Sequence, residues 1–314
     1  MDEHYDRDAA KATLLELMSH RLQQDESNTA QLATRDMKTV HVRFLENPKC
    51  LKAFEDGDEE STIDLAIFRM QGILCGKSLP PVPRSTSTAA MERARPHLRQ
   101  SATITGLGLE QFDNCVSKIE SMYMAFYNAL PSDTLDGWNP GDAFGFTTVT
   151  AQTRYFDRVN PSTNVPVSVG FTESEDPIGT LAAMEKDGFV HGDDNAVEYR
   201  ARVMDPERNT YSYKHINPIT FKIGDIVELS ISFAAYPTKS KKYVFVPHVK
   251  GILLLSQAQR EKAAILRMRA RFKPDANVVI RKRKSLYPDD DAVEDARAKV
   301  AKLTLAHGSQ EMQM

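Results

Sequence analysis

Between Ile216 and Leu255 the chain reads INPITFKIGDIVELSISFAAYPTKSKKYVFVPHVKGILLL, and apolar and polar positions alternate through the first half of that stretch. Val227, Leu229, Ile231, Phe233 and Ala235 fall in step against Glu228, Ser230, Ser232 and Ala234. That is the period of two expected of a strand with one face in the core and the other in water. Gly224 suits a tight bend before it, the polar run from Tyr236 to Lys241 forms a turn, and Tyr243 to Val249 returns as a second strand. Pro247 has no N–H to give a ladder, so the return strand is expected to be an edge or to be bulged there.

Elsewhere the spacing is helical. Asp8 to Gln24 repeats Leu14, Leu15, Leu17, Met18 and Leu22 at three- and four-residue steps. A second helix is predicted from about Thr29 to Leu45, and a third opens at Ser61 and Asp64 and closes at Gly76. Lys77 to Ser101, rich in Pro, Ser, Thr and Arg, reads as a linker. Leu109 to Leu130 carries the clearest stripe in the chain, with Phe112, Val116, Ile119, Met122 and Phe126 on one side and Pro131 at its end. Strand patterns follow at Phe144 to Phe156, Val165 to Phe171, Val197 to Val203 and from Tyr211, while Ile178 to Lys186 fits a short helix or a strand equally well. Ser256 to Phe272 returns to helix, an acidic loop at Asp289 to Asp291 caps a last one, and the chain from Gly308 is expected to be disordered.

The predicted class is therefore α+β. A helical N-terminal region (1–76) is followed by a linker (77–105), then an antiparallel β-sandwich or small barrel packed on one long helix (106–258), then a basic helical extension (259–314). Charge sharpens this division. The formal net charge is −3, but Met1 to Asp64 holds 8 Lys and Arg against 15 Asp and Glu, whereas Arg260 to Lys284 holds 10 against 2. Three cysteines without C-x-x-C spacing suit a reducing compartment. With no apolar run of membrane-spanning length and an acidic N-terminus, an intracellular protein is expected.

Three constellations could carry chemistry. The first is the basic segment: Arg267, Arg269, Arg271 and Lys273, then Arg281, Lys282, Arg283 and Lys284, spaced as in a bipartite nuclear-import signal and read by an import receptor if exposed. The plain alternative is a solvated helical face. The second is the hairpin, where Lys239, Lys241 and Lys242 stand beside Tyr243 and Phe245, with Arg200 and Arg202 on a neighbouring strand. Cations interleaved with stacking aromatics hold single-stranded nucleic acid, although lysines at a hairpin tip also protect a sheet edge. The third is His191-Gly192-Asp193 with His248 lying 57 residues further on, the residue types of a facial triad for Fe(II). In order and spacing these three, with Arg260, are similar to the residues of the 2-oxoglutarate-dependent dioxygenases. That likeness implies iron and 2-oxoglutarate as cofactors, whereas a surface turn at Asp193 implies none.

No Walker loop, dinucleotide-binding glycine fingerprint, nucleophile elbow, zinc-finger spacing or EF-hand loop is present. The runs FKIGDIVELSISFAAYP and KYVFVPHVKGILLLS, followed by a basic helix, resemble an uncharacterised group of proteins of mushroom-forming fungi over Gly188 to Met268. The resemblance supplies no activity and no catalytic residues. The expectation is a non-catalytic binding protein, nuclear in preference to cytoplasmic, with nucleic acid or an import receptor as partner. An iron-dependent oxygenase and an adaptor acting through the N-terminal helices are its rivals.

Overall fold

The computed structural model describes residues 1–24, 30–46, 49–56, 63–83, 87–159, 167–207, 210–271 and 294–300. Residues 1–268 form one compact unit and 269–314 a second. The predicted hairpin is present as β12 (Ile226–Pro237) and β13 (Tyr243–Ser256), paired antiparallel with Phe233 opposite Pro247 and Ala235 opposite Phe245. Around it lie β4 (Phe68–Ser78), β5 (Arg99–Thr105), β6 (Gly141–Ala143), β7 (Phe146–Arg154), β10 (Glu198–Asp205) and β11 (Thr210–His215). Their order is β11-β10-β13-β12-β4-β5-β7-β6, and β2 (Lys49–Asp56) attaches to β12 and carries β1 (Val40–Glu46) and β3 (Ile63–Leu65), making a sheet of 11 strands. One pair, β10 with β13, is parallel. The antiparallel sandwich or small barrel expected from the strand pattern is thus replaced by one large, mixed, open sheet, and no closed barrel forms among the described residues. The sheet does curl, since Thr153 Oγ1 on β7 donates to the Val249 carbonyl on β13 at 2.6 Å.

The added strands come from stretches whose pattern suggested helix. α1 (Arg7–Gln23) forms as expected, with the Asp6 carboxylate accepting from the Ala9 N–H at 2.9 Å. The helix expected over Thr29 to Leu45 is instead a single 3₁₀ turn at Met37–Thr39 followed by β1. That expected from Ser61 to Gly76 is instead β3 and β4. β4 lies between β12 and β5, and from Met70 to Leu74 both faces are buried, so the apolar Ile73-Leu74-Cys75 run that follows Gln71 and Gly72 masks the period of two. Gly72 belongs to that strand because a Cβ there would stand 2.9 Å from the Ile104 Cβ on β5. The linker stretch also contributes, supplying α2 (Thr88–Ala94) and β5, where Gln100, Ala102 and Ile104 are buried. With β2, β3 and β4 built into the sheet, the N-terminal residues are no separate helical layer, and the adaptor reading loses the bundle it required.

α3 (Glu110–Ala129) is the predicted long helix, and it buries Phe112, Cys115, Val116, Ile119, Met122 and Phe126. Its first turn sits directly on Gly106, where a Cβ would come within 2.3 Å of the Phe112 Cβ. The odd-numbered side chains of β12 from Val227 to Ala235 are core, as predicted. The opposite face, expected to be wet, is buried too: Glu228, Ser232 and Ala234 are 2%, 2% and 1% exposed. α1 provides the cover at one end, where Arg21 donates to Glu228 from Nε at 2.8 Å and from Nη2 at 2.6 Å. Gln71 Nε2 adds a third donor at 2.6 Å, and the Arg21 Nη1 reaches the Tyr213 hydroxyl at 2.9 Å. At the other end β2 pairs with Ala234 and Ala235.

Outside this sheet, β8 (Asp157–Arg158) and β9 (Phe189–Val190) form a small ribbon beside a second cluster of Tyr155, Phe156, Leu181 and Met184. Of the strand expected at Val165 to Phe171, residues 167–171 carry no strand, and 165–166 lie outside the described residues. The ambiguous stretch Ile178 to Lys186 holds a 3₁₀ turn, Ala182–Met184. α4 (Ala258–Arg271) is the expected basic helix, and residues 294–300 are helical and exposed. Residues 301–314, which include the tail expected to be disordered, lie outside the described residues.

Candidate anion-binding surface

The turn between β12 and β13 closes through the Thr238 N–H, which donates to the Lys242 carbonyl at 2.7 Å, and Lys241 takes φ +62°. Lys239, Lys241 and Lys242 are all exposed there, and Lys242 pairs with Asp136 at 3.4 Å. Beneath this tip lies a cavity of about 250 Å³ lined by Arg99, Gln152, Arg154, Tyr236, Thr238 and His248, with valine walls at 244 and 246. The two arginines are direct cross-strand partners on β5 and β7. Arg99 Nη1 donates to Gln152 Oε1 at 3.3 Å, and the Arg154 guanidinium stands 5.3 Å from the centre of the Tyr236 ring. His248 stacks on the same ring at 5.2 Å and 16°. Among the described residues no carboxylate lines the cavity and neither guanidinium is ion-paired. Burial and then the Arg154 charge push the Arg99 guanidinium below its usual range.

Behind His248 the ladder is irregular. Ser230 pairs with Gly251 and Ile231 with Val249, so Lys250 is the extra residue of a β-bulge and its side chain is re-aimed. Its Nζ reaches the Asp194 carbonyl at 2.8 Å and Oδ1 at 3.3 Å, while Lys52 Nζ reaches Asp194 Oδ2 at 2.5 Å. Burial by itself would raise the Asp194 carboxyl, but the two ammonium groups outweigh it and hold it below the usual carboxylate range. Burial, then the charges of Lys250 and Lys52, push His248 down to about 3. At neutral pH its imidazole is therefore neutral, with one donor and one acceptor nitrogen. Burial also pushes the neighbouring Cys50 thiol up to about 11, which leaves it protonated and unsuited to nucleophilic chemistry.

The sequence-predicted residues are distributed over this geometry unevenly. The three lysines form the tip as expected. Phe245 does not join them: it is 4% exposed and packed under α3 against Tyr123, Phe126 and Trp138. Tyr243 shares its face and is half-buried. The aromatic residue on the cavity side is Tyr236, and strand parity carries the signal, because Tyr236 pairs with Val244 and Ser232 with His248. Arg200 and Arg202 lie at the other end of the hairpin. Arg200 is level with Leu253, and ten residues of strand separate that level from Tyr243, roughly 33 Å. There Arg200 bonds to Glu198 at 2.7 Å and Arg202 lies 4.2 Å over the Tyr211 ring. A second cavity of about 260 Å³ adjoins Arg200, but Glu198 and Glu228 offset its arginines.

The iron triad does not assemble. His191 is buried, its Nδ1 is 2.8 Å from the Tyr155 carbonyl and its ring stacks on Phe171 at 4.1 Å, while His248 faces Tyr236 and Asp193 is exposed. Among the described residues no group of three His, Cys, Asp or Glu could hold a metal ion. The dioxygenase reading, with its Fe(II) and 2-oxoglutarate, is set aside on that geometry, because its ligands serve separate packing environments. Of the import residues, Arg267 pairs with Asp2, Arg269 and Arg271 are exposed, and Lys273 and Arg281 to Lys284 lie outside the described residues.

These features define an α+β protein with a large mixed sheet and a cationic cavity under its longest hairpin, and among the described residues no helix is long and apolar enough to cross a membrane. No family model matches the chain, and no curated protein matches it. Among solved structures it is similar to gp2.5, a single-stranded DNA binding protein encoded by bacteriophage T7. That match is 12% identical, covers 69% of this chain and 98% of that one, and has a TM-score of 0.32. A likeness so distant leaves the site to be read from this chain's own residues.

Proposed function

We propose that the protein is a non-catalytic binding protein for single-stranded nucleic acid, which it holds along the hairpin tip and the cavity beneath it. One observation carries this reading. Lys239, Lys241 and Lys242 stand beside the cavity of Arg99 and Arg154, and among the described residues the only ion pair these five cations make is Lys242 with Asp136. Uncompensated charge beside a concave, partly apolar wall suits a phosphate backbone, which exchanges its condensed counterions for protein cations.

Fluorescence anisotropy with a labelled oligothymidylate tests the reading. Binding is expected to weaken with salt, log K falling against log salt by about 0.7 for each phosphate neutralised. The double variant Lys239→Glu/Lys241→Glu is expected to lose on the order of tenfold in affinity and to flatten that slope by more than about one. If the full chain retains neither labelled DNA nor RNA at low salt, the proposal fails. A nuclear location belongs to the same reading, through Arg267, Arg269, Arg271, Lys273 and the run from Arg281 to Lys284. A reporter fused to residues 260–284 is expected to accumulate in the nucleus, and a cytosolic signal would defeat that part.

A further inference from the structure

We infer that the cavity under the hairpin is a phosphate-monoester subsite, in which Arg99 and Arg154 hold the terminal phosphate of a nucleic-acid strand whose backbone continues over the lysine tip. The inference rests on the single-strand reading and specifies which part of the strand is recognised.

Like charges placed directly opposite across two strands repel, so a sheet has no structural reason to pair Arg99 with Arg154. Such a pair is relieved by an anion between the two forks. Both forks are already held in place, Arg154 against the Tyr236 ring and Arg99 by Gln152, so little freedom is left to lose when a ligand arrives. Planar guanidinium groups match phosphate oxygens two at a time.

The charge selects the kind of phosphate. Two arginines with a neutral His248 and, among the described residues, no carboxylate on the wall offer two positive charges. A monoester carries about −1.5 to −2 at neutral pH and neutralises them, whereas an internal diester, with a single charge, leaves one of them unmatched. Size points the same way. About 250 Å³ is below the roughly 300 Å³ at which pockets for whole drug-sized ligands begin. The cavity admits a phosphate and the first atoms of its sugar, with Val244 and Val246 as the apolar wall and His248 able to donate or accept one hydrogen bond. Lys239 and Lys241 at the adjoining tip are placed for the phosphates that follow.

The test compares two oligothymidylates of one length, one with a terminal phosphate and one with hydroxyls at both ends, by anisotropy with the full chain. The phosphate-ended strand is expected to bind on the order of tenfold tighter. In Arg99→Gln and in Arg154→Gln that advantage disappears, the hydroxyl-ended strand binding more weakly than to the parent but still through the lysine tip, and an unchanged circular dichroism spectrum shows that the variants are folded. Lys239→Glu weakens both strands alike and keeps their ratio. Equal binding of the two strands by the unaltered protein overturns the subsite and leaves the single-strand reading standing. Failure of both strands to bind overturns both. A phosphoserine peptide binding more tightly than the phosphate-ended strand overturns the assignment to nucleic acid, and an advantage that survives in both arginine variants overturns the residues named.

Discussion

Replacing Arg21 with Met is expected to destabilise the protein by about 3–5 kcal/mol, the cost of leaving one member of a buried ion pair without the other. Glu228 is 2% exposed, and Arg21 gives it two of its three close hydrogen bonds. Gln71 alone then remains close to the carboxylate, with Arg69 at 4.0 Å and partly in solvent. The double variant Arg21→Met/Glu228→Leu should recover most of the loss, because it removes the stranded charge and replaces the pair by apolar volume. Urea unfolding of the two variants beside the parent measures both quantities. If Arg21→Met alone unfolds within about 1 kcal/mol of the parent, the pair does not anchor α1 to β12 as described.

The second large effect is on acid stability. In the folded chain His248 is held neutral down to about 3 by burial and by Lys250, Lys52 and Arg154, with only Asp194 acting the other way. In the unfolded chain its pKa returns to about 6.5. Between these values the unfolded state binds the proton and the folded state does not. The stability is therefore complete above about pH 6.5 and falls as the pH drops toward 3, by up to about 4 kcal/mol. His248→Phe keeps a ring against Tyr236 and cannot titrate, so urea midpoints between pH 7 and 4 should fall for the parent and stay nearly level for the variant, once the acid response common to both is subtracted. Asp194 titrates separately: its carboxyl lies below the usual range, so its contribution is present above about pH 4 and lost below it. Identical slopes in parent and variant above pH 4 would remove His248 as the cause.

What could be read in advance followed from whether a signal was local. The hairpin was legible because strict alternation from Val227 to Ala235 and a polar turn agree, and α3 because its stripe runs through about four turns from Phe112 to Phe126. β1 and β4 escape the pattern for different reasons: in β1 Met37, Val40 and Phe44 satisfy a helical spacing while Val40, Val42 and Phe44 satisfy a strand, and in β4 the partner β12 lies about 150 residues further along the chain. β5, with Ser101, Ala102 and Thr103 at its middle, carries almost no hydrophobic signal although it sits between β4 and β7. The site divided in the same way. Three lysines in one turn announce a cationic tip, whereas Arg99 and Arg154 are single residues in unrelated stretches, and only the β5–β7 register makes them neighbours. Parity alone, counted from Phe233, would have moved Phe245 into the core and brought Tyr236 to His248.

The placement of β4 between β5 and β12 also sets an order of events during synthesis. Ile73 pairs on one side with Thr105, which follows soon after it, and on the other with Ile226, which leaves the ribosome about 150 residues later. Until then the nascent chain holds β4 with one ladder edge open, the condition under which strands join the wrong neighbour. The central seam of the sheet thus waits for the hairpin whose tip carries the lysines, and a chain that stops short of Ser256 has neither a finished core nor a surface on which to bind a strand.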